Sequence, residues 1–541
     1  MKVLLTAPSA KNIHKTLAPW CLKAYCDIHV PACQVLVQEH TVNDHLGDVA
    51  AELFQSNPDV VGFSCYIWNI EFISKLAGTL KKYLPNCLIV LGGPEVSFEA
   101  DCSAYPVADY IVQGPGEHAF ADLLKKIMAG DSTPGEVTPS GHALDLNALP
   151  SPYTPAYFDS FKEGRMRAIA NQLIYYESTR GCPFSCSYCL SSTICGVQEL
   201  ALQRVFSDID NFLKHGATCV KFVDRTFNAN RGRALEILRY ILPLKTDCTF
   251  HFEVAADLFD AKLLQLISAM PPERVQFEIG IQSTHDKTLT EINRRMDVAH
   301  ALQNIQTLVS FGNCHIHVDL IAGLPFDTPH TFAQSIDACI DRRPHMLQLG
   351  FLKLLKGTKI RARSGEYGCV CNAFAPYEIL RSRDMDFADI IKLKQIEHTL
   401  DKFYNSGMFA NSVEYAIKHV FHSAYACFEE LSAFCKGENP RVSLKRAYTM
   451  LLHFLYEHIE KPRAQHYIKL DCFTFNSQGG VLPDEIPAQR DKTAEHDFKR
   501  NTAPQHSNVR AEFFEYDRKT RLFIYDEKDE IRKSYKHVIL P

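Results

Sequence analysis

The chain has 541 residues, of which 46% are hydrophobic and 22% charged, with a formal net charge of −5 and 19 cysteines. That length exceeds what one hydrophobic core supports, so about three or four domains are expected, and the composition is that of an ordinary globular protein. The slight negative charge argues against a nucleic-acid or anionic-membrane partner, while cysteines without regular spacing in so long a chain suit a reducing cytosol better than a disulfide scaffold. No apolar run approaches the ~18 residues needed to span a bilayer, and the apolar start is too short for a signal peptide, so a cytoplasmic location is expected.

From residue 1 to 130, short β-branched runs alternate with helical patterns. Val3–Leu5, Val35–Val37, Val60–Ser64, Cys87–Leu91 and Tyr110–Val112 read as strands, with helices over Leu17–Tyr25, Asp44–Gln55, Ile70–Leu84 and His118–Met128. That alternation predicts a doubly wound, Rossmann-like parallel sheet, which binds ligands beyond the carboxyl ends of its strands. Gly92 and Gly93 follow the fourth strand, and Gly114, Gly116 and Glu117 the fifth. Such glycines serve either close backbone approach to a ligand or a tight turn.

Residues 131–167 are proline-rich and lack periodicity, as in Leu149-Pro-Ser-Pro-Tyr153, and read as an ordered linker. From 168 to 385 strand and helix alternate again. Strands are expected at Ile174–Thr179, Cys219–Asp224, Thr249–Val254, Val275–Gln282, His315–Ile321 and Met346–Phe351, with helices near 198–214, 232–243, 257–269, 284–311 and 329–341. Six strands in that rhythm predict a partial (β/α)6 TIM-type barrel, whose catalytic groups gather at the carboxyl ends of the strands.

The stretch Arg180-Gly-Cys-Pro-Phe-Ser-Cys-Ser-Tyr-Cys189 follows the first of those strands. Cys182, Cys186 and Cys189 have the spacing C-x3-C-x2-C, with Tyr188 before the last. Cysteine thiolates are the usual ligands of a cubane iron–sulfur cluster, and three of them leave one iron open to bind the amino and carboxylate groups of a substrate. Two other readings stand beside this one: buried apolar thiols, or a structural zinc site with Cys195 as fourth ligand. Further polar residues fall at the other strand ends: Asp224 and Asn228, Glu253, Glu278, Gln282 and Ser283, and Asp319 with Gly323 and Leu324. A buried polar group of this kind is either a structural hydrogen bonder or a ligand contact.

Residues 386–541 read as mostly helical, with a helix from Phe387 to about Phe403, a polar segment near 488–508, and a closing β-hairpin from Ala511–Tyr516 and Arg521–Tyr525. Cys369 and Cys371 could ligate an auxiliary cluster or be incidental.

The triad with its Arg-Gly, Pro-Phe and Tyr188 resembles the cluster loop of the radical S-adenosylmethionine (SAM) superfamily. Leu91-Gly-Gly-Pro-Glu95, Gln113-Gly-Pro-Gly-Glu117 and Gly62-Phe-Ser-Cys65 resemble the cobalamin-binding domain that precedes the cluster domain in one large subgroup. The C-terminal region resembles the accessory domain found in some of its members. The resemblance implies a 4Fe-4S cluster on Cys182, Cys186 and Cys189, and SAM contacts from Tyr188, Asp224, Asn228, Glu253, Gln282, Ser283, Gly323 and Leu324, with Asp224 as the amine partner. It implies cobalamin contacts from His14, Ser64, Gly92, Gly93, Gly114, Gly116 and Glu117. The loop after the first strand keeps His14 but neither the Asp nor the Gly of the D-x-H-x-x-G motif of methionine-synthase-type domains. The implied activity is generation of a 5′-deoxyadenosyl radical, followed by cobalamin-dependent C-methylation of a small-molecule or peptide substrate. Flavodoxin or ferredoxin would serve as electron donor. The alternatives are radical oxidation, rearrangement or thiolation without cobalamin chemistry, or a non-catalytic iron–sulfur or zinc sensor.

Overall fold

The computed structural model describes residues 1–99, 102–139, 145–161, 169–194, 196–438, 441–477, 480–502, 505–529 and 531–540. These fall into two compact units, the first made of residues 1–269, 290–295 and 351–383, the second of the remainder.

The first unit opens with β1 (Lys2–Thr6), α1 (Ala18–His29), β2 (Gln34–Val37), α2 (Leu46–Gln55), β3 (Val60–Ser64), α3 (Ile70–Tyr83), β4 (Leu88–Gly92), the single turn α4 (Pro94–Ser97), β5 (Tyr110–Gln113) and α5 (Gly116–Ala129). The strands are mostly apolar, with polar residues near their ends, because both faces of this parallel sheet are covered. Val3 to Leu5, Val60, Val61 and Ile89 to Leu91 are almost fully buried, and α1 packs on α5 while α2 packs on α3. Strand order is β2-β1-β3-β4-β5-β6, the sixth being β6 (Glu136–Pro139), which the sequence assigns to the linker. Order reverses between β1 and β3, which is where a doubly wound sheet opens a crevice for a ligand.

Part of the segment read as a linker packs on the first sheet's loops through aromatic residues. Its helix α6 (Pro155–Asp159) carries Tyr157, which joins Trp20 and Phe161 in an aromatic box around the buried Lys15 ammonium. Lys15 is neutralised there by Glu39, as a buried charge requires. Beyond the linker, β7 (Ile174–Tyr176) ends sooner than the expected Ile174–Thr179. The N–H groups of Ser178 and Thr179 turn to Asp224 instead of the ladder. The chain then forms β8 (Thr179–Gly181), antiparallel to β9 (Val197–Glu199). After α7 (Leu202–Lys214), β10 (Cys219–Phe222), α8 (Arg231–Ile241), β11 (Thr249–Val254) and α9 (Ala261–Ser268) continue the repeat, with parallel strands in the order β11-β10-β7.

The second unit carries β12 (Val275–Gln282), α10 (Val298–Phe311), β13 (His315–Ala322), α11 (Pro329–Ile340) and β14 (Met346–Phe351), in the strand order β14-β13-β12. All six expected strands of the repeat are therefore formed. The helix expected over 284–311 is two, Asp286–Glu291 and α10, because Asn293 takes a left-handed conformation at φ 53° and Asp297 caps a new start.

The C-terminal region is helical through α12 (Phe387–Leu400), α13 (Ala410–Ala416), α14 (Ala424–Phe434), α15 (Leu444–His458), α16 (Lys461–Phe475) and α17 (Lys492–Asn501), the last lying in the segment the sequence marks only as polar. It ends in the antiparallel strands β15 (Val509–Phe514), β16 (Lys519–Asp529) and β17 (Ser534–Ile539). The expected hairpin thus gains a third strand, which covers an edge otherwise open to pairing. Asp471 on α16 is fully buried and accepts the first N–H groups of α13, from Asn411 and Ser412, both at 2.9 Å. Asp471→Ala leaves those donors unpaired and is expected to cost about 1–3 kcal/mol for each, read as a fall in the denaturation midpoint of the full chain. No helix among the described residues is long and apolar enough to cross a membrane.

Candidate functional site

The three cysteines leave the end of β8 on one loop of the first unit. Cys186 is buried and Cys182 and Cys189 are half-buried. The loop starts at Gly181, whose φ of 99° and whose closeness to Gly196 admit no side chain: a Cβ would stand 2.2 Å from the Gly196 carbonyl oxygen. Its far wall comes from residues more than a hundred positions on. Ser187 N donates to Ile292 O at 2.8 Å, Asn293 Nδ2 to Ser185 O at 3.1 Å, and Arg294 Nη1 to Cys186 Sγ at 3.8 Å and to the Tyr188 hydroxyl at 3.2 Å. Ile360 N donates to Ser187 O at 3.0 Å from another side. Nothing local in the sequence marks Ile292–Arg294 as part of this site.

The donor set fits an iron–sulfur cluster. Soft sulfur ligands select such metals, and two of the sulfurs have polar neighbours: Arg294 donates to Cys186 Sγ, and Thr226 Oγ1, whose proton goes to Arg225 O, lies 3.7 Å from Cys182 Sγ. Burial pushes the Cys186 thiol up, and the Arg294 guanidinium works against that rise. Among the described residues no three His, Cys, Asp or Glu side chains converge as the ligands of a single ion would. Cys195, the fourth ligand of the zinc reading, lies outside the described residues. Cys369 and Cys371 are both half-buried, Cys371 in a short antiparallel pairing with residues 379–381.

The strand-end residues differ in what they are free to do. Asp224 is fully buried. Its Oδ1 accepts from Ser178 N and Thr179 N, both at 2.8 Å, and its Oδ2 from Ser178 Oγ at 2.5 Å. With these three bonds it organises the approach to the cluster loop. Asn228 is equally committed, bridging Ala255 N and O. Glu253 remains half-exposed, 3.8 Å from Lys221.

In the second unit a register shift between Gly280 and Gln282 bulges the end of β12, and Gln282 sits at φ 71°. Its buried Oε1 has no hydrogen-bond partner among the described residues. Bulges and strained residues of this kind gather at functional sites. Ser283 is buried, accepting from His285 N at 3.1 Å and bonding the Asp327 carboxyl. Gly323 turns the chain after β13 at φ 87°, and Leu324 is fully buried.

Burial pushes the Asp224 carboxyl up to about 6, against its three hydrogen-bond donors. An acid raised above its ordinary value of about 3.9 contributes most below about pH 4 and loses that contribution as pH climbs through about 6. The slope is at most about 1.4 kcal/mol per pH unit. Asp224→Asn keeps both backbone bonds on one oxygen and can donate to Ser178 Oγ. Denaturation free energies should therefore show the variant gaining on the parent between pH 4 and 7, with SAM affinity unchanged. Parallel pH profiles, or lost SAM binding, would reject this structural assignment.

At the crevice of the first sheet the loops are tied to one another. Asn69 Nδ2 donates to Pro8 O and Ser64 O, both at 3.1 Å, and Gly114 N to Ser97 Oγ at 3.0 Å. Gly93, at φ 96°, packs on Cys65, whose carbonyl oxygen a Cβ would approach to 2.7 Å, so its lack of a side chain serves the turn. Gly92 meets nothing closer than 3.6 Å. Ser64 is buried at the end of β3. His14 Nδ1 bonds the Tyr175 hydroxyl at 2.7 Å, which leaves Nε2 as the nitrogen for a ligand, and burial with Lys11 and Lys221 nearby holds the ring below its ordinary value. Gly116 opens α5, and Glu117 beside it binds Arg180 Nη2 at 2.8 Å. Tyr66 and Trp68, which the sequence reading missed, stack at 4.4 Å just after β3, with Trp68 half in solvent.

Residues 4–124 match the family described as B12 binding domain, and residues 176–339 match the radical SAM superfamily. The chain belongs to the radical SAM enzyme superfamily, in its B12-binding-domain subgroup. The cofactors of this radical SAM chain are those of its two matched families, a 4Fe-4S cluster with SAM, and cobalamin. Residues 365–533 match a protein family of unknown function, DUF4080. The cobalamin-dependent radical SAM methyltransferase TokK of Streptomyces tokunonensis is 27% identical over 336 residues, 54% of this chain and 47% of that protein. The 2-(S-pantetheinyl)-carbapenam-3-carboxylate methyltransferase of Streptantibioticus cattleyicolor is 27% identical over 56% of this chain and 47% of its own. The radical SAM chain thus spans about half the length of these curated relatives. Among solved structures, the cobalamin-dependent SAM radical enzyme OxsB shares the fold over 92% of this chain and 75% of its own, with a TM-score of 0.60 and 13% identity.

Proposed function

We propose that the chain is a cobalamin-dependent radical SAM enzyme that methylates carbon in a small-molecule substrate. The observation that carries this reading is the cluster loop, where Cys182, Cys186 and Cys189 offer three thiols and Arg294 and Thr226 face two of them. The two matched families, and the methyltransferase names of both relatives above, support it.

When bound, the cluster and SAM supply a 5′-deoxyadenosyl radical and cobalamin supplies the methyl group, so the chain's task is to position and shield. The three cysteines hold the cluster. Tyr188 beside them, Glu253 and Gln282 at strand ends, and the turn of Ser283, Gly323 and Leu324 are the contacts proposed for SAM. Asp224 and Asn228 act one step back, holding the backbone that presents the cysteines. His14 Nε2, Ser64 and the glycines 92, 114 and 116 line the proposed corrin crevice, and an external one-electron donor such as flavodoxin or ferredoxin completes the system.

A second reading, radical chemistry without methyl transfer, is favoured by the loop after β1, which keeps His14 without the flanking Asp and Gly. Anaerobic reconstitution followed by incubation with trideuteromethyl SAM and extract of the producing cell separates the two. A product three mass units heavier, corrin absorption retained by the chain, and 5′-deoxyadenosine formation lost in Cys186→Ala are expected. Deoxyadenosine without label transfer would favour the second reading. Zinc without iron, or a cluster indifferent to SAM, would overturn both and leave a sensor.

A further inference from the structure

We propose that Arg294 sets the reduction potential of the cluster, an inference that rests on the cluster reading above. Its guanidinium reaches the loop from the turn after Glu291 and donates from one nitrogen to both Cys186 Sγ and the Tyr188 hydroxyl, at 3.8 and 3.2 Å. Cys186 is the buried member of the three thiols. Burial disfavours the Arg294 charge, and Tyr188 and Cys186 act to hold it. A cation fixed one hydrogen bond from a ligand sulfur favours the reduced cluster, because reduction adds negative charge to a centre whose thiolates are already anionic. Net charge and hydrogen bonds to sulfur are among the factors that set such potentials. With Cys186 buried and Arg294 half-buried, this attraction is screened less than that of an exposed pair.

The geometry makes the charge a fixture rather than a passing contact. Ser187 N to Ile292 O and Asn293 Nδ2 to Ser185 O lock the same turn onto the loop at 2.8 and 3.1 Å, so bracing does not depend on the guanidinium. Cys182 Sγ has the neutral Thr226 hydroxyl 3.7 Å away. Of these contacts only the one at Cys186 brings a full charge.

The test is a potentiometric titration of the reconstituted full chain without SAM, followed by electron paramagnetic resonance, in the parent, Arg294→Gln, Arg294→Lys and Tyr188→Phe. Iron is counted in each sample. Arg294→Gln is expected to load iron like the parent but to need a more negative potential. At a fixed potential its reduced-to-oxidised ratio should fall about tenfold, about 59 mV for one electron. Arg294→Lys, which keeps the charge, should recover most of the difference, and Tyr188→Phe should move it little. An unchanged midpoint in iron-loaded Arg294→Gln would overturn the proposal. So would a shift in Arg294→Lys as large as in Arg294→Gln, or a failure of Arg294→Gln to hold iron, since these mark a bracing residue. A parent chain that binds no cluster would instead remove the cluster reading itself.

Discussion

Gly181→Ala is expected to leave the chain folded and largely stripped of iron after reconstitution. The glycine stands directly before Cys182 at φ 99°, and an added Cβ would fall 2.2 Å from the Gly196 carbonyl oxygen. That contact is with backbone, so no side chain can swing away. The loop itself must move, and with it the spacing of the three sulfurs. Gly196 supplies the control, because its φ of 78° is also left-handed but nothing lies within 4 Å of its missing Cβ. Gly196→Ala should therefore cost only the conformational strain, about 1–2 kcal/mol, and keep its iron. Iron and sulfide content per chain, with the visible absorption of the cluster, reads the difference. Equal loading in the two variants would show that the loop tolerates displacement and that the clash is relieved elsewhere.

Arg180→Met should be among the most destabilising single changes in the first unit. Arg180 Nη2 lies 2.8 Å from Glu117 and 2.6 Å from Glu177, and the three side chains are only 15%, 6% and 22% exposed. Burial disfavours the guanidinium charge, yet the two carboxylates hold its affinity for the proton above the ordinary value. Taking away the cation leaves Glu117 charged, buried and unpaired by it, a loss of about 3–5 kcal/mol for pairs of this kind. Replacing both partners removes the stranded charge, so Arg180→Met with Glu117→Gln should be more stable than Arg180→Met alone. Denaturant unfolding of the single and double variants measures the coupling. A single-variant loss below about 1 kcal/mol, as at an exposed pair, would show that water reaches Glu117. The pair also joins the start of α5 to the residue two before Cys182. Glu117 thereby braces the approach to the cluster loop.

Much of this architecture was legible in advance because it depends on local periodicity. Val60-Val-Gly-Phe63 carries no polar side chain because a parallel strand is covered on both faces, and the C-x3-C-x2-C loop states its chemistry in eight residues. What went unread was decided by contacts distant along the chain. Ile174–Thr179 looks like one strand, yet Asp224 takes the N–H groups of Ser178 and Thr179 and ends it early. Residues 284–311 look like one helix, yet the left-handed Asn293 breaks it and delivers Arg294 to Cys186.

The roles of individual polar residues divide along the same line. Asp224, Asn228 and Glu117 were sound candidates by type and position, since a carboxylate or amide at a strand or helix end suits ligand and framework alike. Only the folded chain shows that each has an internal partner, Ser178, Ala255 and Arg180 respectively. By itself the sequence determined the order of strands and helices, the three-thiol loop and the family, all written in short-range spacing. Tertiary structure alone decided which polar groups are satisfied internally and which charge faces the thiols, because a hydrogen bond or an ion pair is a fact of distance in space, and residues from 27 to 108 positions apart supply it.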